Sequence, residues 1–271
     1  MRQLIAICAL TAALFVGAFD LPSNAQTPPT SGGPVDAAVI DDLVTASRIL
    51  AAQGILDGLG HVSIRHPTNP NRYLMSRSVA PALMTVSDVI EYDLDSNPID
   101  ANGRASFIER FIHGEIYKAR PDVQAIVHSH SPTVIPFGVS QVPMHAMYAP
   151  AGFLAAGVPV FEIRKYGGMT NLLVSNPAFG RALAATLGDK SVALMRGHGN
   201  VVVAPNVQAV VFRAIYTEIN ARLQLQAIGL GGPITYLEKE EGEKIDSLNS
   251  SSKNPGVGVT RSWDLWKRQL K

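Results

Sequence analysis

The chain is nearly free of cysteine. Its 271 residues hold one, Cys8, inside an apolar stretch near the start. Beyond it neither a disulfide nor a thiolate metal centre can form, so histidine and carboxylate remain as metal ligands. An excess of one charge is also missing: 23 Lys and Arg against 22 Asp and Glu give a formal net charge of +1. No basic cluster breaks this balance, which disfavours nucleic acid or an anionic membrane surface as partner. There is no internal repeat. The longest apolar run, residues 4–19, is shorter than the ~20 residues a membrane-spanning helix needs.

Arg2 precedes that run, and Ser23-Asn24-Ala25 follows it with small residues. This is the arrangement of an export signal. The expectation is a signal peptide over 1–25, cut after Ala25, and a periplasmic or secreted protein with no membrane contact after cleavage. Residues 26–34 are rich in Pro, Gly, Ser and Thr and are expected to be a flexible linker. Residues 35–237 suit one domain with a substantial core. The tail, 238–271, is charged, then Ser/Asn-rich, and carries Trp263 and Trp266 at helical spacing, expected to pack on the body or on a neighbour.

Against these absences stands a concentration of histidine and acid: Glu109-Arg-Phe-Ile-His113, then Ile126-Val-His128-Ser-His130, then Arg196-Gly-His198-Gly199. His128 and His130 end an apolar run. If that run is a strand, both rings point the same way, at its carboxyl end, where open α/β sheets bind ligands. Glycine on either side of His198 lets the backbone approach an ion closely. Glu109 begins a helical stretch that stops at Arg120-Pro121-Asp122, a turn into the strand. Three imidazoles and one carboxylate are what an open catalytic metal site needs, with positions left for substrate.

Hydrophobic periodicity predicts helices over 39–52, 106–119, 177–187 and 207–228, the last long and amphipathic. It predicts strands over 61–65, 73–76, 89–94, 123–130, 191–196 and 200–204. Alternating elements of this kind indicate a layered α/β domain.

The spacing from Glu109 to His128 and His130, the Arg-Pro-Asp at 120–122 and the later His198-Gly199 resemble the class II aldolase/adducin family over roughly residues 41–228. Its enzymes include sugar-phosphate aldolases and an epimerase. The resemblance implies a three-layer α/β/α sandwich with a central mixed sheet, in a homotetramer with sites at subunit interfaces. It implies that His128, His130 and His198 bind one divalent metal ion per subunit, and that Glu109 is the catalytic acid/base and touches the metal before substrate binds. It also implies an acid from a neighbouring subunit, for which Tyr148 is the first candidate and His145 the second.

Where the family's sugar-phosphate enzymes have Gly-Asn-x-Ser, this chain has Gly60-His61-Val62-Ser63. Their Thr-Pro-Ser-Gly-like turn is replaced by Ser76-Arg77-Ser78-Val79, and Phe107-Ile108 precedes the glutamate. Bulky apolar side chains supply no donors to a phosphate, and valine in place of glycine blocks backbone approach to an anion. Arg77 instead offers a fork for a carboxylate. The expected substrate-binding residues are His61, Ser63, Ser76, Arg77 and Ser78, and the expected ligand is a small carboxylate. The chain is similar here to the family's decarboxylase branch. That similarity implies a metal-dependent carbon–carbon lyase decarboxylating a hydroxylated aromatic or enol/keto acid. Aldol cleavage of a non-phosphorylated substrate, a ferrous oxygenase and an adducin-like assembly domain are the alternatives. Three imidazoles suit zinc or manganese, and also accept iron or cobalt.

Overall fold

Residues 31–250 and 257–270 are described by a computed structural model; the stretch expected to be an export signal lies outside them. Helices cover both faces of the sheet, so three of its strands hold continuous apolar runs, at 125–127, 192–195 and 201–204. They are β1 (His61–Arg65), β2 (Arg72–Ser76), β3 (Val89–Asp93), β4 (Ala125–Ser129), β5 (Val160–Phe161), β6 (Val192–Met195) and β7 (Gly199–Ala204). The helices are α1 (Ala37–Ala52), α2 (Phe111–Ala119), the short α3 (Ile135–Val139) and α4 (Arg164–Gly167), α5 (Pro177–Leu187), α6 (Val207–Leu230), α7 (Lys239–Ser250) and α8 (Val257–Gln269).

One seven-stranded sheet runs in the order β3-β2-β1-β4-β7-β6-β5. All neighbours are antiparallel except β5 and β6. Alternation along each strand divides the core into two layers. Ala125 and Val127 of β4 join Leu43 and Leu50 of α1 and Val211 and Ile215 of α6. Ile126, between them, joins Ile112 and Ile116 of α2 and Leu183 and Leu187 of α5. The result is the expected three-layer sandwich around a mixed sheet. His128 continues the Ile126 side, so its ring meets the α2 layer.

Several boundaries differ from the sequence expectation, each for a local reason. β4 ends at Ser129, so His130 stands just beyond the strand. The helix expected over 106–119 divides: Ile108–Arg110 form a 3-10 turn in which Glu109 has φ −88° and ψ 17°, and α2 starts at Phe111. β5 is two residues long, too short to leave a periodic signal. The buried side of α6 carries polar groups. Asn220 accepts from Met147 N and donates to His145 O, both at 2.8 Å. Gln224 accepts from His145 N at 2.9 Å and donates to Pro143 O at 2.8 Å. These bonds pin residues 143–147 to the helix.

Both ends of the described chain are seated. In the segment expected to be a flexible linker, Ser31 Oγ donates to Glu91 at 2.7 Å and Gly32 N donates to the same carboxylate at 2.5 Å. Trp263 and Trp266 of α8 are buried in the α1–α6 layer, as their spacing suggested.

Candidate metal centre and active site

The site forms where β4, the β6–β7 turn and the 3-10 turn before α2 meet. Glu109, His128, His130 and His198 each offer a ligand atom there, all within 4.8 Å of one another. Gly199 makes the meeting possible, because a Cβ at that position would overlap the Ser129 carbonyl oxygen. Gly60 is required on the other side: at φ +82° a Cβ would lie 2.8 Å from His128 O.

The imidazoles are oriented from behind. His128 Nδ1 lies 3.1 Å from Asn200 O, and His198 Nδ1 lies 3.1 Å from Leu172 O. A carbonyl oxygen only accepts, so both Nδ1 atoms carry the proton and both Nε2 lone pairs face inward. His128 Nε2 is buried with no hydrogen-bond partner, and His198 Nε2 approaches His130 Nε2 at 3.0 Å. Glu109 Oε1 accepts from Val174 N at 2.9 Å, while Oε2 stands 3.5 Å from His128 Nε2 and 3.4 Å from His198 Nε2. Inward lone pairs, an orphaned buried nitrogen and a carboxylate fit a divalent cation.

Electrostatics agree with that fit. Burial opposes ionisation of Glu109, but the closeness of the His128 and His198 rings outweighs it and holds the carboxyl far below the usual carboxylate range. Burial, with the neighbouring His128 and His198, lowers His130 to about 4. Glu109 and His130 are therefore deprotonated near neutral pH, as metal binding requires.

Beside the cluster lies a cavity of about 380 Å³. Leu59, Val79, Phe107, Ile108 and Leu173 give it apolar walls, and His61, Ser78, Ser106, Glu109 and His130 give it polar points. His61 stacks obliquely on Phe107, with ring centroids 4.6 Å apart.

Of the residues expected to bind substrate, His61 and Ser78 line this cavity and three others do not. Ser63 shares the His61 side of β1, but α2 covers it, and its hydroxyl bonds to His113 and Tyr117. Ser76 is buried at the end of β2. Arg77 Nε is drawn to Asp88 at 2.5 Å, so a carboxylate of the protein already engages it. Within one chain Tyr148 lies outside the cavity; its buried hydroxyl has no hydrogen-bond partner among the described residues, and burial pushes its pKa up. His145 stacks on Tyr236, centroids 4.3 Å apart. His113 has no role assigned from sequence, yet it bonds to His61 at 2.7 Å. Its four-residue spacing from Glu109 was the available signal.

The family model described as "Class II Aldolase and Adducin N-terminal domain" matches residues 41–225. The chain belongs to the class II aldolase and adducin family. Among its relatives, the decarboxylase tropJ of Talaromyces stipitatus is 36% identical over 250 residues, covering 84% of this chain and 92% of that protein. The 3,4-dihydroxyphthalate decarboxylase of Arthrobacter keyseri is 31% identical over 230 residues, covering 79% and 89%. In fold, this family member is similar to the L-fuculose 1-phosphate aldolase of Glaciozyma antarctica, with a TM-score of 0.69 at 23% identity over 88% of this chain and 94% of that one. The sequence resemblance to the family and its decarboxylase branch is thereby upheld.

Proposed function

We propose that this class II aldolase-family protein is a divalent-metal-dependent decarboxylase of a hydroxylated aromatic or enol carboxylate. The observation that carries the reading is one juxtaposition: an apolar slot, walled by Phe107 and Ile108, opens onto the Glu109/three-histidine cluster. A planar acid fits such a slot better than a sugar phosphate, which would find few donors there. The decarboxylase names of the relatives support the same choice.

His128, His130 and His198 would hold the ion, with Glu109 beside it. When bound, the ion supplies a Lewis acid that stabilises negative charge on a substrate oxygen. The chain's residues do the rest. The apolar walls orient the ring and exclude water. Glu109 Oε2 takes the proton of the substrate hydroxyl. The carbon–carbon bond to the carboxylate breaks, carbon dioxide leaves, and the electron pair remains on the substrate. Glu109 then returns the proton to the carbon that lost the carboxylate, and the substrate oxygen takes one proton from solvent as the product leaves, so the reaction consumes one proton and the glutamate ends as it began.

Zinc or manganese is the proposed ion. A homotetramer is the proposed assembly, with Tyr148 reaching a neighbour's site. Export is the proposed fate, resting on residues 1–25 alone.

The deciding experiment is carbon dioxide release from a panel of hydroxylated aromatic acids, 3,4-dihydroxyphthalate included, by protein loaded with zinc or manganese. Release that depends on added metal is expected. Cleavage of unphosphorylated hydroxy-ketones without decarboxylation would favour an aldolase instead.

A further inference from the structure

Behind His61 a line of polar side chains runs from the cavity into the core. His61 Nδ1 lies 2.7 Å from His113 Nε2. His113 Nδ1 lies 2.6 Å from Ser63 Oγ. Ser63 Oγ lies 2.9 Å from the Tyr117 hydroxyl. His113 and Ser63 are fully buried, and Tyr117 is 1% exposed. None of these three reaches the cavity, and the proposed chemistry uses none of them.

The direction of the line follows from counting protons. The Tyr117 hydroxyl has Ser63 as its one hydrogen-bond partner among the described residues. The nearby Arg65 guanidinium, 4.6 Å over the Tyr117 ring, is a donor only and offers no acceptor. The phenol proton therefore goes to Ser63 Oγ. Ser63 has one proton of its own, which goes to His113 Nδ1. With Nδ1 accepting, His113 carries its proton on Nε2 and donates to His61 Nδ1. With its Nδ1 accepting in turn, His61 carries its proton on Nε2. That nitrogen has no protein partner among the described residues, and the ring lines the cavity. The opposite sense would leave a buried phenol proton without an acceptor, a disadvantage of roughly tenfold or more in population.

We propose that Tyr117, Ser63 and His113 are positioning residues that hold His61 as the Nε2–H tautomer, so that the cavity presents a fixed N–H donor to an anionic oxygen of the ligand beside the three-histidine cluster. The donor character follows from the hydrogen-bond line; only the kind of oxygen it meets rests on the decarboxylase reading.

The test is imidazole nitrogen NMR by magic-angle spinning on the zinc-loaded full chain labelled at histidine, with His61 assigned through the signals lost in His61→Asn. A protonated Nε2 and an unprotonated Nδ1 at His61 are expected. A protonated Nδ1 at His61 overturns the proposal, whatever the protein catalyses. In Tyr117→Phe the orphaned proton of the opposite sense falls on the buried Ser63 hydroxyl instead, so the His61 signals should persist. In Ser63→Ala with Tyr117→Phe neither hydroxyl proton remains, each sense leaves His113 Nδ1 unpaired, and the Nδ1–H form of His61 should rise roughly tenfold or more; no rise overturns the part given to the two hydroxyls. Should that variant not fold, His113→Gln serves, because its amide can accept from Ser63 and donate to His61. It should keep the wild-type His61 signals, whereas a switch to Nδ1–H there overturns the relay. Failure to decarboxylate any acid, with His61 in the Nε2–H form, would count against the function alone.

Discussion

His61 stands directly opposite His128 across the β1–β4 ladder, with ring centroids 5.2 Å apart. A candidate metal ligand and a cavity-lining donor are thus set side by side by strand register, which a one-residue slip would destroy. The sheet therefore places two kinds of chemistry, ion binding and ligand orientation, within one cross-strand pair.

Glu109→Gln keeps the shape of the carboxylate and removes its basicity. The variant should fold and bind metal, and its turnover should fall by about 10²–10⁴-fold, the usual worth of a positioned acid/base. Steady-state rates with the best acid of the panel measure this. Unchanged turnover would remove Glu109 from the proton transfer.

His128→Ala takes away the buried nitrogen that has no protein partner. Bound zinc, counted by elemental analysis after gel filtration, should drop from near stoichiometric to a small fraction. In the wild type, metal at 1,000 times its dissociation constant should add about 4.1 kcal/mol of stability. A melting temperature unmoved by chelation would contradict this.

Acid should weaken the metal-stripped protein, and His113 should contribute. Burial, helped by His128, lowers its pKa from 6.5 to about 3. The unfolded chain then binds the proton that the folded chain refuses. The stabilisation is whole above about pH 6.5 and is lost as pH falls toward 3, at about 1.4 kcal/mol per unit. Burial lowers His61 and His130 in the same direction, and the depressed Glu109 adds to the loss at lower pH. Urea unfolding of wild type and His113→Gln at about pH 7 and about pH 5.5 should show the wild type losing about 1.4 kcal/mol more. Parallel losses would refute the buried neutral imidazole.

Glu218 on α6 accepts from Ser131 Oγ at 2.7 Å, from Thr133 N at 3.1 Å, and from Thr133 Oγ1. It therefore clamps the chain immediately after His130. Glu218→Ala should cost roughly 1.5–3 kcal/mol, the worth of bonding to a buried charge. Chemical denaturation measures the cost, and wild-type stability in the variant would show the clamp to be idle.

Export predicts a mature chain that starts near Gln26 when the full sequence is expressed in an exporting host. Intact mass spectrometry reads the start directly, and a chain retaining Met1 in the exported fraction would end that proposal.

The cluster itself was legible in the sequence because its members announce themselves at short range. His128 and His130 are two apart at a strand end, His198 sits between glycines, and Glu109 precedes a helix by a turn. The two-faced burial of 125–127 likewise pointed to a covered sheet. The substrate contacts were less legible. Ser63 and Arg77 have the chemistry of ligand contacts, yet α2 seals the first and Asp88 engages Nε of the second. Covering by a helix more than 40 residues along the chain leaves no trace in local pattern.

By itself, then, the order of residues determined which groups are available: three imidazoles and an acid, no thiol after Cys8, bulky apolar neighbours in place of phosphate-binding glycines and hydroxyls. Periodicity added the alternation of helix and strand, since side-chain direction along one element depends on that element alone. What each polar group bonds to was decided only in three dimensions. His113 came to support His61, Ser63 came to bond to His113 and Tyr117, and Arg77 turned its Nε to Asp88. The reason is that a hydrogen bond is a short-range contact between two atoms, and partners such as His61 and His113, on different elements, meet only after the layers have packed.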